Sequence, residues 1–428
     1  MTVATEPGAA VSSPGRGVAG NAGEDVRSDV RVEVRLRDEG GIRLEIRSKV
    51  EALYGEALRR EVRSTLEGMG VSHAEVSVDD RGALPWVVVA RTETAAARAG
   101  VEVPCPPPSR SVASREPSPR ERLRRSRLYL PGNEPRFMLN AGLHHPDAVI
   151  LDLEDSVHPE RKDEARRLVC HALRNVDFRG SERMVRINPL PLGLEDLEAV
   201  VPEGPALVLI PKAEDPEQVE EVGEVIAVIQ AREARKSPPE ITAPVAAGPT
   251  VWLMPILESA LGVENAYAVA CAHESVVALT IGLEDYTADL GVVKTSTGEE
   301  SRWARQRLVN AARAVGAQAI DSVFGDVDDE DGLLAWGRRA RAMGFEGMGC
   351  VHPRQIRVVH RAFAPTAGEL DRAHRIVRAF QEAEARGSGV VSLGSKMIDA
   401  PVVARARRLV ERARTMGLTA PGAGEGGA

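Results

Sequence analysis

Glu258 closes the apolar run VWLMPIL, and Asp285 lies just past a second run, VALTIGL, with Glu284 between. If the two runs are neighbouring strands, both carboxylates leave the sheet on the same side and repel one another. A divalent cation resolves that repulsion, and a hard-oxygen site with open positions suits Mg2+. Other polar groups end apolar runs in the same way: Glu154 and Asp155 after AVILDL, Arg186 and Asn188 in RMVRINP, Lys212 and Glu214 after ALVLIP, Asp326 after AIDSVFG, and His352 in MGCVHP. A guanidinium in such company, here Arg186, is suited to an anionic substrate or a developing oxyanion.

Each of these groups also has a structural use. A carboxylate after a strand often caps the next helix, which fits Glu154 and Asp155 as well as a site does. Glu258 is a poor cap, and Asp285 occupies the equivalent place on the next run. Arg186 also fits a surface ion pair, and the pattern alone leaves Lys212 open between the two uses. His352 has no His or Cys partner at ligand spacing and reads as a structural histidine.

The runs that carry these residues are SRLYLPG, AVILDLED, RMVRINP, ALVLIPKAE, VWLMPILES, VALTIGLED, AIDSVFGD and MGCVHP. Short β-branched runs alternating with helical segments predict a (β/α)8 barrel; an open doubly wound sheet would carry a Gly-rich nucleotide loop after its first strand. In a barrel the C-terminal strand ends converge on one mouth, so Glu258 leaves its buried strand where it can point into a shared site. The insert RKSPPEITAPVAAGP before the fifth run is expected to be a surface loop.

Upstream, Val30, Val32, Val34 and Leu36 alternate with charged residues, and after Glu39-Gly40-Gly41 the alternation resumes with Ile42, Leu44 and Ile46. That predicts a half-buried hairpin. A helix is expected from about Ser48 to Gly68, then two strands, AEVSVDD and PWVVVAR, about a turn at Asp80-Arg81-Gly82. VPCPPPSRSVASREPSPR reads as a semi-extended linker. The expected organisation is a flexible N-terminus (1–28), a small α+β unit (29–100), the linker (101–122), the barrel (123–386), a C-terminal segment (387–416) and a flexible tail (417–428).

The chain has 428 residues, 43% hydrophobic and 28% charged, as in a globular protein of two or more domains. A net charge of -8 gives no basic field for nucleic acid. Cys105, Cys170, Cys271 and Cys350 form no CxxC pair, which disfavours a zinc site and fits a reducing cytoplasm. The sequence shows neither a signal-peptide core nor a run long enough to span a bilayer. A cytoplasmic protein without membrane or nucleic-acid partners is expected.

Residues from about Arg124 to Met416 resemble the citrate lyase beta-subunit family, within the HpcH/HpaI aldolase and citrate lyase group. The matching stretches are RSRLYLPGNEPRFM, DAVILDLEDSVHPERKDEAR, VRINPL, LIPKAED, PILESALGVENA, IGLEDYTADLG, HPRQI and GVVSLGSKMIDAPVVARAR. The resemblance implies a (β/α)8 barrel with Mg2+ held by Glu258 and Asp285, and substrate contacted by Arg186. Asp399, in the KMIDAP stretch, is implied as a proton donor acting from a neighbouring subunit, and hence a homo-oligomer. Where the family usually has Lys after the Gly of its GFxG motif, this chain has Met348.

The amino-terminal unit resembles the citrate lyase gamma subunit, an acyl carrier protein, through SDVRVEV, IRLEIRSKVEALYGEALRREV, VSVDDRGAL and VVARTETAAARA. In that family a dephospho-CoA-derived prosthetic group sits on a Ser two residues before the Asp matching Asp29. This chain has Arg27 there, and Ser28 is the candidate attachment residue. Together the resemblances imply retro-Claisen cleavage of a citryl thioester, on the carrier or on CoA, to oxaloacetate and an acetyl thioester. They also imply a citrate lyase alpha subunit as partner. Malyl-CoA or citramalyl-CoA cleavage on the same fold, or a non-catalytic scaffold with a degenerate carrier, are the alternatives.

Overall fold

The computed structural model describes residues 15–102, 117–235, 251–385, 391–393 and 396–418. Most of the expected linker, the insert before the fifth run and nearly all of the tail lie outside the described residues.

The first unit contains β1 (Arg16–Ala19), β2 (Val30–Leu36), β3 (Ile42–Ser48), α1 (Glu51–Gly68), β4 (Ala74–Asp80) and α2 (Pro85–Arg98). Alternation along β2 places Val30, Val32 and Val34 in the core and its charged residues outside. Three expectations are corrected. First, β1 is ordered within the stretch expected to lack structure, and pairs antiparallel with β2. Second, β2 and β3 do not form a hairpin. The sheet order is β1-β2-β4-β3, with β4 antiparallel to β2 and parallel to β3. Gly40 and Gly41 do take positive φ, as in a turn, but parallel β3 and β4 need a crossover, which α1 supplies, and β4 enters the gap. Third, PWVVVAR opens helix α2 rather than a strand. Pro85 starts that helix, where its missing N–H is no loss. Its Val-Val-Val run imitated a strand because the helix is buried nearly all round.

The eight predicted runs become β5 (Ser126–Pro131), β6 (Ala148–Asp152), β7 (Glu182–Arg186), β8 (Leu207–Ile210), β9 (Trp252–Leu257), β10 (Ala278–Ile281), β11 (Gln318–Asp321) and β12 (Gly347–Cys350). They close in chain order into a parallel barrel, β12 pairing with β5. Around it run α3 (Pro135–Met138), α4 (Lys162–Asn175), α5 (Leu192–Val200), α6 (Pro216–Arg235), α7 (Ala260–Glu264), α8 (Ala266–Cys271), α9 (Leu283–Asp289), α10 (Arg302–Ala314), α11 (Glu330–Met343) and α12 (Arg354–Phe363). Ile150, Met184, Leu209, Met254 and Ile320 fill the barrel interior, and a larger core lies between strands and helices. At the base, Arg124 donates from Nε and Nη2 to the two oxygens of Glu182 at 2.7 and 2.8 Å. No described helix is long and apolar enough to cross a membrane.

Beyond the barrel, α13 (Ala367–Glu384) is followed by the antiparallel pair β13 (Val391–Leu393) and β14 (Lys396–Ile398), then α14 (Ala400–Thr415). Ile376, Phe380, Val403 and Ala406 join α13 to α14 in a separate small core.

Candidate active site at the barrel mouth

Asp152 ends β6 and Arg186 ends β7, directly opposite in register. The guanidinium grips the carboxylate with two parallel bonds, Nε to Oδ1 at 2.6 Å and Nη2 to Oδ2 at 2.7 Å. Burial alone would raise the Asp152 pKa, but the hydrogen bonds and charge of Arg186 hold it below the usual carboxylate range. Arg186 is in turn held above the ordinary guanidinium value, since Asp152 outweighs its desolvation. Its Nη1 reaches Glu154 at 2.7 Å and Asp155 at 3.3 Å, and the guanidinium lies over the Tyr129 ring at 5.3 Å. Glu154 is therefore no mere helix cap: it is buried, and also faces the Lys212 ammonium at 3.3 Å. Burial pushes its carboxyl up.

Glu258 follows β9 and is 5% exposed. Its Oε1 accepts the Lys212 backbone N–H at 2.7 Å, at a residue whose φ is 48°. Gly282, just past β10, leaves the space that Glu258 occupies: a Cβ there would lie 2.5 Å from Glu258 Oε2 and 2.8 Å from its Cβ. Three residues on, Asp285 stands half-buried in the first turn of α9. Burial pushes Glu258 up to about 7, the charges of Asp285 and Glu154 adding to it and the Lys212 N–H opposing it. The structure thus brings Glu258, Asp285, Glu154 and Arg186 to one mouth.

Asp152, Glu154, Asp155, Glu258 and Asp285 face Arg186, Lys212 and, behind the β6 loop, Lys162, whose Nζ bonds the carbonyls of Leu153 and Glu154. Carboxylates outnumber cations, and all five are hard oxygen donors of the kind Mg2+ takes. Among the described residues no three His, Cys, Asp or Glu side chains converge to hold an ion alone. Glu258 and Asp285 fit a site that leaves several positions to water and substrate oxygens.

Other sequence candidates lie elsewhere. Asp399 is exposed and caps α14, accepting the Val402 N–H at 3.3 Å; no described contact joins it to the mouth of its own chain. Ser28 is half-buried with φ 57°, its N–H donating to the Arg81 carbonyl at 3.1 Å. His352 Nδ1 accepts the Arg354 N–H at 3.1 Å, within its own turn. Asp326 accepts two backbone N–H groups of its own turn, and Asn188 is tied to Asp196. Met348 is buried in the core between strands and helices, so its side chain is not part of the mouth.

Asp152, Tyr129 and Arg127 escaped the sequence reading. Asp152 carried a signal, an acidic residue as the last of an apolar strand two before Glu154. Arg127, fully buried within the barrel, donates to Met254 Sδ and Thr280 Oγ1, both at 3.0 Å, with no carboxylate partner among the described residues. Burial pushes its pKa down.

The HpcH/HpaI aldolase/citrate lyase family model matches residues 125–353. The chain belongs to this family and is a carbon-carbon lyase. Citrate lyase subunit beta of Haemophilus influenzae is 38% identical over 296 residues, 69% of this chain and 98% of that one. Mitochondrial citramalyl-CoA lyase of Rattus norvegicus is 32% identical over 306 residues, covering 68% and 87%. Among solved structures, CitE from Mycobacterium tuberculosis in complex with magnesium, acetoacetate and coenzyme A is 30% identical with a TM-score of 0.54, covering 70% of this chain and all of that one. An acyl carrier protein model, described as malonate decarboxylase delta subunit (MdcD), matches residues 18–99, so the chain fuses a carrier-like unit to the lyase barrel.

Two predictions follow from Glu258 and its cradle. Because its folded-state pKa of about 7 exceeds the ordinary 4.5, ionised Glu258 weakens the fold, and this part of the stability is lost as pH rises from 4.5 through 7. In chelator, Glu258→Gln is expected to raise stability at pH 8 by up to about 3 kcal/mol and to change little at pH 4.5; urea titrations at both pH values check this, and an equal effect at both would contradict it. Gly282→Ala, which drives a methyl into the Glu258 carboxylate, is expected to weaken Mg2+ binding at least tenfold in calorimetric titration while the circular dichroism stays unchanged.

Proposed function

We propose that the barrel cleaves a citryl thioester to oxaloacetate and an acetyl thioester, with Mg2+ at Glu258 and Asp285. The observation that carries this reading is the surplus of carboxylates at the mouth, with Glu258 buried against the charge of Asp285. The names of the relatives support the thioester class, and a related structure is described as a magnesium complex.

In the cleavage, the substrate hydroxyl gives up its proton to Glu154, the mouth carboxylate that burial makes more basic and that is not assigned to the metal, and becomes the keto oxygen of oxaloacetate. The electron pair of the breaking carbon-carbon bond passes into the thioester enolate, which takes a proton at carbon. Bound Mg2+ would supply Lewis-acid stabilisation of the forming carbonyl oxygen. Glu258, just past β9, and Asp285, in the first turn of α9, would hold the ion. Arg186 is fixed by Asp152, so the orientation of its guanidinium toward the enolate is set before substrate arrives and needs no reorganisation. Asp399, exposed in its own chain, protonates the enolate carbon from a neighbouring subunit, which makes the working enzyme a homo-oligomer. Ser28 is where a dephospho-CoA-derived group would be carried, and a citrate lyase alpha subunit would then reload it.

The 32% identity to citramalyl-CoA lyase favours one second reading, in which the acyl group is citramalyl. Release of oxaloacetate, glyoxylate and pyruvate from citryl-CoA, malyl-CoA and citramalyl-CoA, with Mg2+ and with chelator, separates these substrates. Chelator-sensitive oxaloacetate from citryl-CoA is expected, with Glu258→Ala lowering turnover at least about a hundredfold. Undiminished activity in that variant would sink the metal assignment, and pyruvate or glyoxylate as the sole product would reassign the acyl group.

A further inference from the structure

Helix α2 belongs to the carrier-like unit, yet ten of its fourteen residues are buried. A helix on the surface of a domain buries one stripe; one buried nearly all round lies inside a core. Strands β1 and β2 and helix α1 cover one side of α2, and α4 of the barrel covers another. The two units share one continuous apolar core.

Charged groups cross this seam. Arg91 of α2 is 0% exposed, and donates from Nε and Nη2 to Asp29 at 3.0 and 3.1 Å. Its Nη2 also reaches the Asn133 carbonyl at 2.7 Å, and its Nη1 lies 3.4 Å from Glu164 of α4. Glu93 Oε2 is 2.9 Å from Nε2 of His171 on α4, and Arg98 Nε donates to Asp163 at 2.7 Å. The Gly20 N–H donates to Glu164 at 3.2 Å. Buried ion networks add little net stability, but with partners from both units this one fixes their relative orientation.

The seam runs along α4 from Glu164 to His171, and its Arg91–Glu164 end lies on the mouth side of the barrel. Asn133 follows the end of β5 by two residues, and Glu164 is in the first turn of the helix that follows β6. The intervening Gly132 N–H donates to the carbonyl of Asp152, the residue that holds Arg186, at 2.8 Å.

We infer that the carrier-like unit is a fixed wall of the catalytic body. Helix α2 stays docked on α4 through turnover, with the Ser28–Asp29 turn held at the rim of its own barrel. A swinging carrier would expose the barrel side of α2 and part Arg91 from Glu164. The docking does not depend on which thioester is cleaved. Its consequence, that an acyl group on this turn is presented only in cis, rests on the thioester reading above.

Hydrogen exchange and small-angle scattering on the full chain, with and without citryl-CoA and Mg2+, test this independently of activity. Peptides covering residues 85–98 are expected to exchange as slowly as those of β6 and β7, with or without substrate. Glu164→Lys is expected to speed exchange in α2 at least tenfold and to enlarge the radius of gyration, leaving β6 and β7 protected. His171→Glu, facing Glu93, makes the same break should Glu164→Lys unfold the barrel. Exchange of α2 in the wild type tenfold faster than in the barrel, or a rise when substrate is added, would overturn the inference.

Discussion

An ionised carboxylate cannot be buried beside another without compensation, and the mouth of this barrel is organised around that constraint at Glu258. Its site is dry enough to push the group up to about 7. The backbone of Lys212 gives it one hydrogen bond, and Gly282 gives it room toward Asp285. What remains uncompensated is negative charge directed at open positions. On the other side of the mouth the opposite solution is used: Asp152 and Arg186 neutralise one another bidentately, which fixes a guanidinium at a set place and angle.

These two arrangements come from different parts of the same geometry. Parallel strands in a closed barrel deliver their last residues to one rim, so Asp152 and Arg186 meet because they are register partners on neighbouring strands. Glu258 and Asp285 approach because β9 and β10 are neighbours and the chain turns into α9 immediately afterwards. Each helix returns the chain to the base, where Arg124 and Glu182 form a buried pair far from the chemistry.

Much of this was legible in the sequence, because the barrel runs are short, mostly aliphatic and followed closely by polar residues. All eight became strands, and Glu258 and Asp285 were readable as an opposed pair. What was not legible was pairing. Asp152 looked like part of an apolar strand, since nothing local says that an arginine thirty-four residues on will neutralise it. The hairpin expected at Gly40-Gly41 failed for the same reason, because the insertion of β4 between β2 and β3 is a long-range event. Helix α2 was misread as a strand because burial on several sides removes the polar face by which a helix is recognised. Asp399 was visible only through family resemblance, and within one chain it caps a helix.

The docked amino-terminal unit changes how the fusion is understood. A tether alone would raise the local concentration of a carrier at the mouth; a shared core and a buried ion network hold one side of it there.

The most direct test of the central claim is an anomalous difference map from crystals of the protein grown with Mn2+ standing in for Mg2+. A single strong peak bridging the carboxylates of Glu258 and Asp285, absent in Glu258→Gln crystals, is the predicted result. A peak elsewhere, or one that persists unchanged in the variant, would contradict it.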